Sequence, residues 1–471
     1  MSQTLHIDAL VDEQTIGRFN LNLLIWSFLA MFADGYDLNA LPLAAPELRG
    51  LWHVPAASFA WALSASSFGI LLGAPLLGYV GDRFGRKRAI IIASLICGAS
   101  SLAIIAAHNL DELKVLRFIT GIGIGGLMPN TIALNSELSP KRWRATLVVL
   151  MFVGITLGGG APGLVARWLV PQHGWTALFL VGGLVPLAVA ACAWFVLPES
   201  IKFLALRTGR RDELLATARR LRPDLSIAVD TQFVVTQAPS LGGTGLREIF
   251  APGLRSITLL LWVCFATTLM TNFFLNSWLP LVGRDNGLSA DQASFASSLY
   301  SFGGAAGGVL MSVLIDRFGF VVIAALFALS VPAIALIGIT GMAYASLVPL
   351  VLAAGLTVLG AQFGNNASAG LLYPTAFRAK GVGWALGVGR FGAIAGQLAG
   401  GVLLAMHLPV RSLFLMASLP MVVGTVAAAL LIPICYARLG TLTLDDAPLG
   451  ARAGQSRGVL ADPASLRAPL P

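Results

Sequence analysis

Charge is what this chain has least of. Only 11% of its 471 residues are Asp, Glu, Lys or Arg, against about 25% in an ordinary soluble domain. Hydrophobic residues reach 56%, and together the two figures exclude a soluble globular fold. The net charge of +9 does not point to nucleic acid, because the basic residues sit in short clusters between apolar runs, which is how membrane topology is encoded. Cysteine is scarce as well. Cys97, Cys192, Cys264 and Cys435 are far apart, three of them inside apolar runs, with neither pairing nor metal-ligand spacing. The histidines His6, His53, His108, His173 and His407 fall in the tail, in connections or at span ends. No metal site or imidazole-centred catalytic cluster is expected from them, so the reading is not an enzyme and needs no cofactor. Residues 1–20 carry Asp8, Asp12 and Glu13 and no basic segment before an apolar core, which does not fit a cleaved signal peptide.

What the chain has in quantity is long apolar runs. Windows of about 20 residues give twelve spans, near 21–44, 59–80, 89–107, 114–136, 145–166, 175–197, 256–280, 292–315, 319–340, 346–370, 381–404 and 412–434. The fold class expected is an all-α polytopic membrane protein. Between Phe318 and Phe377 there is no charge at all, so the break between the ninth and tenth spans is placed at Gly341–Ser346 on length alone. With both termini cytoplasmic, 24 of the 31 Lys and Arg residues are cytoplasmic, five are external (Arg49, Lys114, Arg167, Arg284 and Arg411), and Arg117 and Arg390 lie within the membrane. The positive-inside rule selects that orientation. The domains expected are a cytoplasmic tail over 1–20, a six-helix bundle over 21–197, a cytoplasmic linker over 198–255, a second bundle over 256–437 and a disordered tail over 438–471. Within the linker, Leu214, Leu215, Ala218 and Leu221 share one helical face, as in a short interfacial helix.

The two bundles repeat. Asp82-Arg-Phe-Gly85 recurs as Asp316-Arg-Phe-Gly319, and Pro140-Lys-Arg-Trp-Arg-Ala145 recurs as Pro374-Thr-Ala-Phe-Arg-Ala379, both offset by 234 residues. A shared offset at two separated places describes parallel halves related by an axis along the membrane normal, with a substrate site at mid-membrane between them. A Gly-x-Gly-x-x-Gly pattern at Gly121, Gly123 and Gly126 has no strand before it and lies in an apolar span. It reads as close helix packing rather than dinucleotide binding.

Gly81-Asp-Arg-Phe-Gly-Arg-Lys-Arg88 resembles the second cytoplasmic turn of the major facilitator superfamily, and Arg117 followed by Gly121 resembles its fourth-helix signature. Asp34-Gly-Tyr-Asp37 narrows the resemblance to the aromatic acid:proton symporter family. Arg117 to Asn130, Ser136 to Pro140, Ser277-Trp-Leu-Pro280 and Arg378 to Gly392 support it. Two features depart from related patterns. The glycine-rich run Gly154 to Gly163 lacks the proline placement of drug:proton antiporters, which tilts against export, and Val321-Val-Ile stands where some members carry a histidine. The resemblance implies that Gly81, Asp82, Arg83 and Arg86, with Glu137, hold the halves together when the cavity faces outward. Arg144 and Asp316, with Arg378, join that conformational gate.

The buried charges give the candidate site. Asp34 and Asp37 are three residues apart on one helix and share a face. Two nearby carboxylates in a low-dielectric site resist ionising together, which suits a proton-coupling group. Arg117 lies at a compatible depth. Two readings stand: the aspartates load the proton while Arg117 holds the ionised form, or Asp and Arg form a permanent pair that packs the first and fourth helices. Arg390 is well inside the eleventh span, and spans seven to twelve contain no acid. Its partner is either a substrate carboxylate, held by two parallel hydrogen bonds, or an acid at the cytoplasmic turn such as Asp82, toward which it could also snorkel. Asn272, Asn276 and Trp278 of the seventh span, with Gln362, Phe363 and Asn366 of the tenth, are candidates for lining a cavity around an aromatic ring. Phe273, Phe274 and Asn365 are their neighbours.

The expectation is a monomeric carrier of the cytoplasmic (inner) membrane that imports a small aromatic carboxylate with protons, using the proton gradient as its energy source. Its partners are that acid, protons and lipid, and not nucleic acid. A carrier of another organic anion or a sugar, an exporter, and a non-transporting receptor are the alternatives.

Overall fold

A computed structural model describes residues 4–207, 209–235, 249–251, 254–373 and 378–439; at 145, 149, 316, 378, 379, 435, 438 and 439 it describes the backbone alone. A short strand, β1 (Thr4–His6), leads into α1 (Ile7–Asp12). Six long helices follow: α2 (Arg18–Trp52), α3 (Phe59–Phe84), α4 (Arg86–Ile104), α5 (Leu110–Leu138), α6 (Lys141–His173) and α7 (Thr176–Val196). Then come α8 (Ile201–Ala205), α9 (Arg211–Leu221) and β2 (Gln232–Val234). A second set of six completes the fold: α10 (Arg255–Asp285), α11 (Ala290–Phe318), α12 (Phe320–Ile339), α13 (Tyr344–Leu372), α14 (Arg378–Ala405) and α15 (Val410–Leu439). This is the all-α polytopic architecture expected. Eleven of the twelve long helices are long and apolar enough to cross a membrane. The twelfth, α2, carries both Asp34 and Asp37, and these charges dilute its apolar character.

Local chemistry sets the breaks. Gly85 ends α3 at φ +108°, and Gly319 ends α11 at φ +60°, so both copies of the repeated Asp-Arg-Phe-Gly turn use a backbone conformation that glycine alone adopts freely. The uncharged stretch breaks at Gly341 and Met342, both left-handed, between α12 and α13. Asn109 caps α5 by accepting from the Asp111 and Glu112 amides, and Ser289 and Gln292 form a capping box on α11.

Within each half the principal helix pairs correspond: α3 on α5 and α2 on α6 in the first, α11 on α13 and α10 on α14 in the second. The halves meet along α2–α10, α3–α14 and α6–α11. Side chains bridge them at Arg49–Asp285, Arg167–Asp291, Ser67–Gln397 and Ser298–Gly160, all toward the ends where α2, α6 and α10 finish.

Within the tail expected over 1–20, residues 4–12 are folded. β1 pairs in parallel with β2, α1 packs on α9, and Ile7, Leu10 and Val11 are buried. An apolar face of three residues on a six-residue helix was too short to register as a pattern. The short helix expected in the linker appears as α9, but Leu214, Leu215, Ala218 and Leu221 are buried against the rest of the chain instead of lying free for the membrane interface. Residues 440–471, most of the segment expected to be disordered, lie outside the described residues.

Candidate substrate and proton site

The site begins with α2. A Cβ at Gly35 would come within 2.8 Å of the Ile155 carbonyl carbon, so only glycine lets α2 lie this close to α6 and set the flanking aspartates at a fixed height. Tyr36 fixes the rotation of the helix by donating from its hydroxyl to the Leu178 carbonyl at 3.1 Å.

Asp37 and Arg117 form a closed ion pair, with Arg117 Nη1 donating to Asp37 Oδ2 at 2.6 Å and side chains 0% and 2% exposed. Arg117 Nη2 also reaches the Asp37 carbonyl at 3.3 Å, and Ser101 Oγ donates to Asp37 Oδ1 at 3.4 Å. Asp34 behaves differently. It is 4% exposed, its Oδ1 is buried without a hydrogen-bond partner, and the cation that attracts it is Arg390, on α14 of the opposite half. The shared helix face therefore splits: Asp37 is paired with Arg117, and the cation acting on Asp34 belongs to the other half. Arg390 is half-buried, and its opposing acid is Asp34 rather than Asp82. The C-terminal half contains no membrane acid, and the missing charge comes from the N-terminal half. That partner could not be read from sequence, because nothing in the spacing says which helices of the two bundles face one another.

Between them lies α10, which packs against both α2 and α14. Asn272 and Asn276 are half-buried on it, and Asn272 Oδ1 accepts from the Tyr300 hydroxyl at 2.9 Å. Tyr300 was missed in the sequence, where an isolated tyrosine in an apolar span carries no signal. Trp278 is 1% exposed, its Nε1 donates to the Gln397 carbonyl at 3.0 Å, and its ring lies against Gly400 and Gly401. On α13, Gln362 Nε2 approaches Asn366 Oδ1 at 3.5 Å while Gln362 Oε1 is buried and unpartnered. Phe363 lies over Gly308 of α11, and Asn365 turns instead to Thr268 of α10, at 3.0 Å.

The turn cluster lies at the far end of the bundle. Arg86 pairs with Asp82 at 2.5 Å and with Glu137 at 3.6 Å. Gly81 leaves room for Asn130 and Arg86. Arg83 donates to the Tyr79 hydroxyl at 2.7 Å, and Arg144 to the Ser139 carbonyl at 3.2 Å. Two members were missed, Glu199 and Ser200. Glu199 accepts from the amides of Lys87 and Ser200 at 3.2 and 2.9 Å, and Ser200 Oγ hydrogen-bonds Glu137. The Glu199 carboxylate sits so close to Gly85 that a Cβ there would be 2.7 Å from its Cδ. Burial pushes the Glu199 carboxyl above the usual range, against the pull of the amides it accepts from. These partners all belong to the N-terminal half or to the segment that follows it. The side chains of Asp316 and Arg378 lie outside the described residues.

Comparison with known proteins places this arrangement. The model of the Major Facilitator Superfamily matches residues 27–283 and 261–441. The chain is 37% identical to the gallate transporter of Pseudomonas putida, over 87% of this chain and 91% of that one. It is 36% identical to the 4-hydroxybenzoate transporter PcaK of the same organism, over 86% and 91%. Among solved structures, the partially occluded inward-open xylose transporter XylE from E. coli superposes with a TM-score of 0.67 at 17% identity, covering 88% of this chain and 97% of that one, which speaks for the fold alone. With two six-helix halves, the repeated glycine turns and matches along nearly its whole length, this multi-pass membrane protein belongs to the Major Facilitator Superfamily and falls with its aromatic acid transporters.

Proposed function

We propose that this chain is a proton-coupled importer of an aromatic carboxylic acid that works by alternating access. The observation that carries the reading is that Asp34, with an unpartnered buried oxygen, and the half-buried Arg390 are opposite charges brought within electrostatic reach from opposite halves. With the site empty, Arg390 offsets the Asp34 charge. An arriving carboxylate takes the guanidinium through two parallel hydrogen bonds. Asp34 then has no counter-charge in a low-dielectric setting and takes up a proton. Anion and proton enter as a neutral set, and loss of the proton to the cytoplasm returns Asp34 to Arg390 as the acid leaves. The relatives named for gallate and 4-hydroxybenzoate support a hydroxylated ring as cargo. The Asn272 amide, with its oxygen held by Tyr300, offers its N–H groups to such hydroxyls.

Positive-inside placement puts residues 4–14 and the linker in the cytoplasm. The Asp82, Arg86 and Glu137 cluster is then at the cytoplasmic end, and the bridging contacts between the halves are at the outer end. This structure is accordingly closed outside. Asp37 and Arg117 support the second role weighed for them, a fixed pair joining α2 and α5.

Uptake of labelled hydroxybenzoates, phenylpropionates and phenoxyacetates, with and without a protonophore, tests the reading. Accumulation of at least one class that the protonophore abolishes is expected. Uptake of sugars in preference, unaffected by benzoate-type acids, would replace it with a sugar carrier.

A further inference from the structure

We infer that Arg49–Asp285 and Arg167–Asp291 form a two-point electrostatic latch that holds the outer face shut and opens in every transport cycle. The inference uses the orientation proposed above. Arg49, near the end of α2, grips Asp285, at the end of α10, through two hydrogen bonds of 2.8 and 2.7 Å. Arg167 of α6 pairs with Asp291 of α11 at 2.9 Å, and its guanidinium lies 5.6 Å from the centroid of the Phe295 ring. Each pair crosses from one half to the other on a different helix couple, so the two together resist both tilt and twist of one half against its neighbour.

The polarity is the same at both points: the N-terminal half supplies the cations and the C-terminal half the anions. Arg49 and Asp285 also stand at nearly equivalent places in the repeat. One carries a cation and the other an anion, so the pseudo-symmetry of the halves is broken in the way that makes them attract.

The strength suits the task. All four side chains are between 33% and 49% exposed, and exposed ion pairs are individually weak and screened by salt. A buried pair would hold one state too firmly for a carrier that must alternate. Beneath the latch, Ser298 Oγ donates to the Gly160 carbonyl at 2.7 Å and Ser67 Oγ to Gln397 Oε1 at 2.8 Å, a polar seam that separates when the latch opens. At the opposite end, among the described residues, the ion pairs of Asp82, Arg86 and Glu137 stay within the N-terminal half.

The test needs no substrate, so its failure is distinct from failure of the functional reading. A reporter Ala166→Cys, in the wall of the outer cleft, is placed in a variant lacking the four native cysteines and labelled in right-side-out vesicles with a membrane-impermeant maleimide. Arg49→Ala combined with Arg167→Ala is expected to raise the labelling rate by about threefold or more, the scale of two exposed ion pairs. With Arg167 intact, Arg49→Asp alone should also speed labelling, and adding Asp285→Arg should restore the original rate, which a merely misfolded protein would not do. Raising NaCl to about 0.5 M should speed labelling of the unaltered latch and leave the double Ala variant unchanged. An unchanged rate in the double Ala variant, an exchange that fails to restore, or salt acting equally on both proteins overturns the proposal.

Discussion

Asp34 and Asp37 differ by one turn of one helix, yet their surroundings give them opposite consequences on mutation. Removing one member of a buried, hydrogen-bonded ion pair strands the other, at about 3 to 5 kcal/mol, and Arg117 already has a buried Nε without a partner. Asp37→Ala and Arg117→Ala should therefore lower the melting temperature and folded yield sharply, as read by thermal unfolding in detergent, while the double replacement by Asn and Gln recovers part of the loss. Among the described residues Asp34 makes no ion pair within 4 Å, and Asp34→Asn should leave the melt nearly unchanged. It should retain counterflow exchange of the acid but lose accumulation driven by a proton gradient. Equal loss of both activities in Asp34→Asn would place that residue in binding instead. Arg390→Lys keeps the charge and loses the bidentate geometry, so KM should rise by on the order of tenfold, about 1.4 kcal/mol, with folded yield retained. The charges themselves were legible in the sequence, since an acid or a cation inside a long apolar run demands an explanation. Their assignment into Asp37–Arg117 and Asp34–Arg390 was legible only in part. Depth along two helices suggested the first pair, whereas the second spans the two halves and depends on how they dock. Glu199 escaped notice because a carboxylate just beyond a span end looks like an ordinary solvated charge until Gly85 brings a helix start against it.

Helices in this bundle approach closely wherever glycine removes the side chain that would separate them. A Cβ at Gly125 would lie 2.7 Å from the Ile70 carbonyl oxygen on α3, and one at Gly123 2.7 Å from the Cys97 amide on α4. Bulk at Gly125 cannot be absorbed by a flexible neighbour, because the obstacle is backbone. Gly125→Val should cost at least the 1 to 3 kcal/mol typical of overpacking, roughly, and should reduce folded yield in membranes. Gly78 is the matched control: nothing lies within 4 Å of its notional Cβ, so Gly78→Ala should be neutral or raise stability by about 0.5 to 1 kcal/mol through helix propensity. Equal effects at both positions, measured by size-exclusion yield and melting temperature, would remove the packing explanation. The sequence showed this role correctly at Gly121, Gly123 and Gly126, where an apolar context ruled against a nucleotide loop. It did not show which neighbour each glycine meets. Trp278 marks the same limit from the other side, because a tryptophan beside two asparagines looks like a cavity wall until Gly400 and Gly401 admit its ring between helices.

At the scale of the molecule, the twelve-helix count and the twofold repeat followed from apolar length and one recurring offset, because bilayer thickness and a shared turn leave little freedom. The residues outside the bilayer were harder, since their folding depends on small apolar faces and on partners distant in sequence. Residues 4–14 illustrate this. Asp8 pairs with Lys202 at 2.7 Å, Asp12 with Lys141 at 2.9 Å, and Glu13 with Arg222 at 3.3 Å, while Gln14 Nε2 donates to the Leu138 carbonyl at 2.9 Å. Each of these partners lies at the end of α5, at the start of α6 or in the segment after α7, so the cap is bound to the N-terminal half and moves with it. Deleting residues 1–14 would uncover the apolar surface that Ile7, Leu10 and Val11 pack against and leave Arg222 without one of its two acids. The expected outcome is a lower melting temperature and lower yield, with KM for the acid unchanged, because none of the cap reaches Asp34 or Arg390. A deletion variant that melts normally but has an altered KM or transport rate would instead show that the cap acts on the cycle, through the Asp12–Lys141 pair at the start of α6.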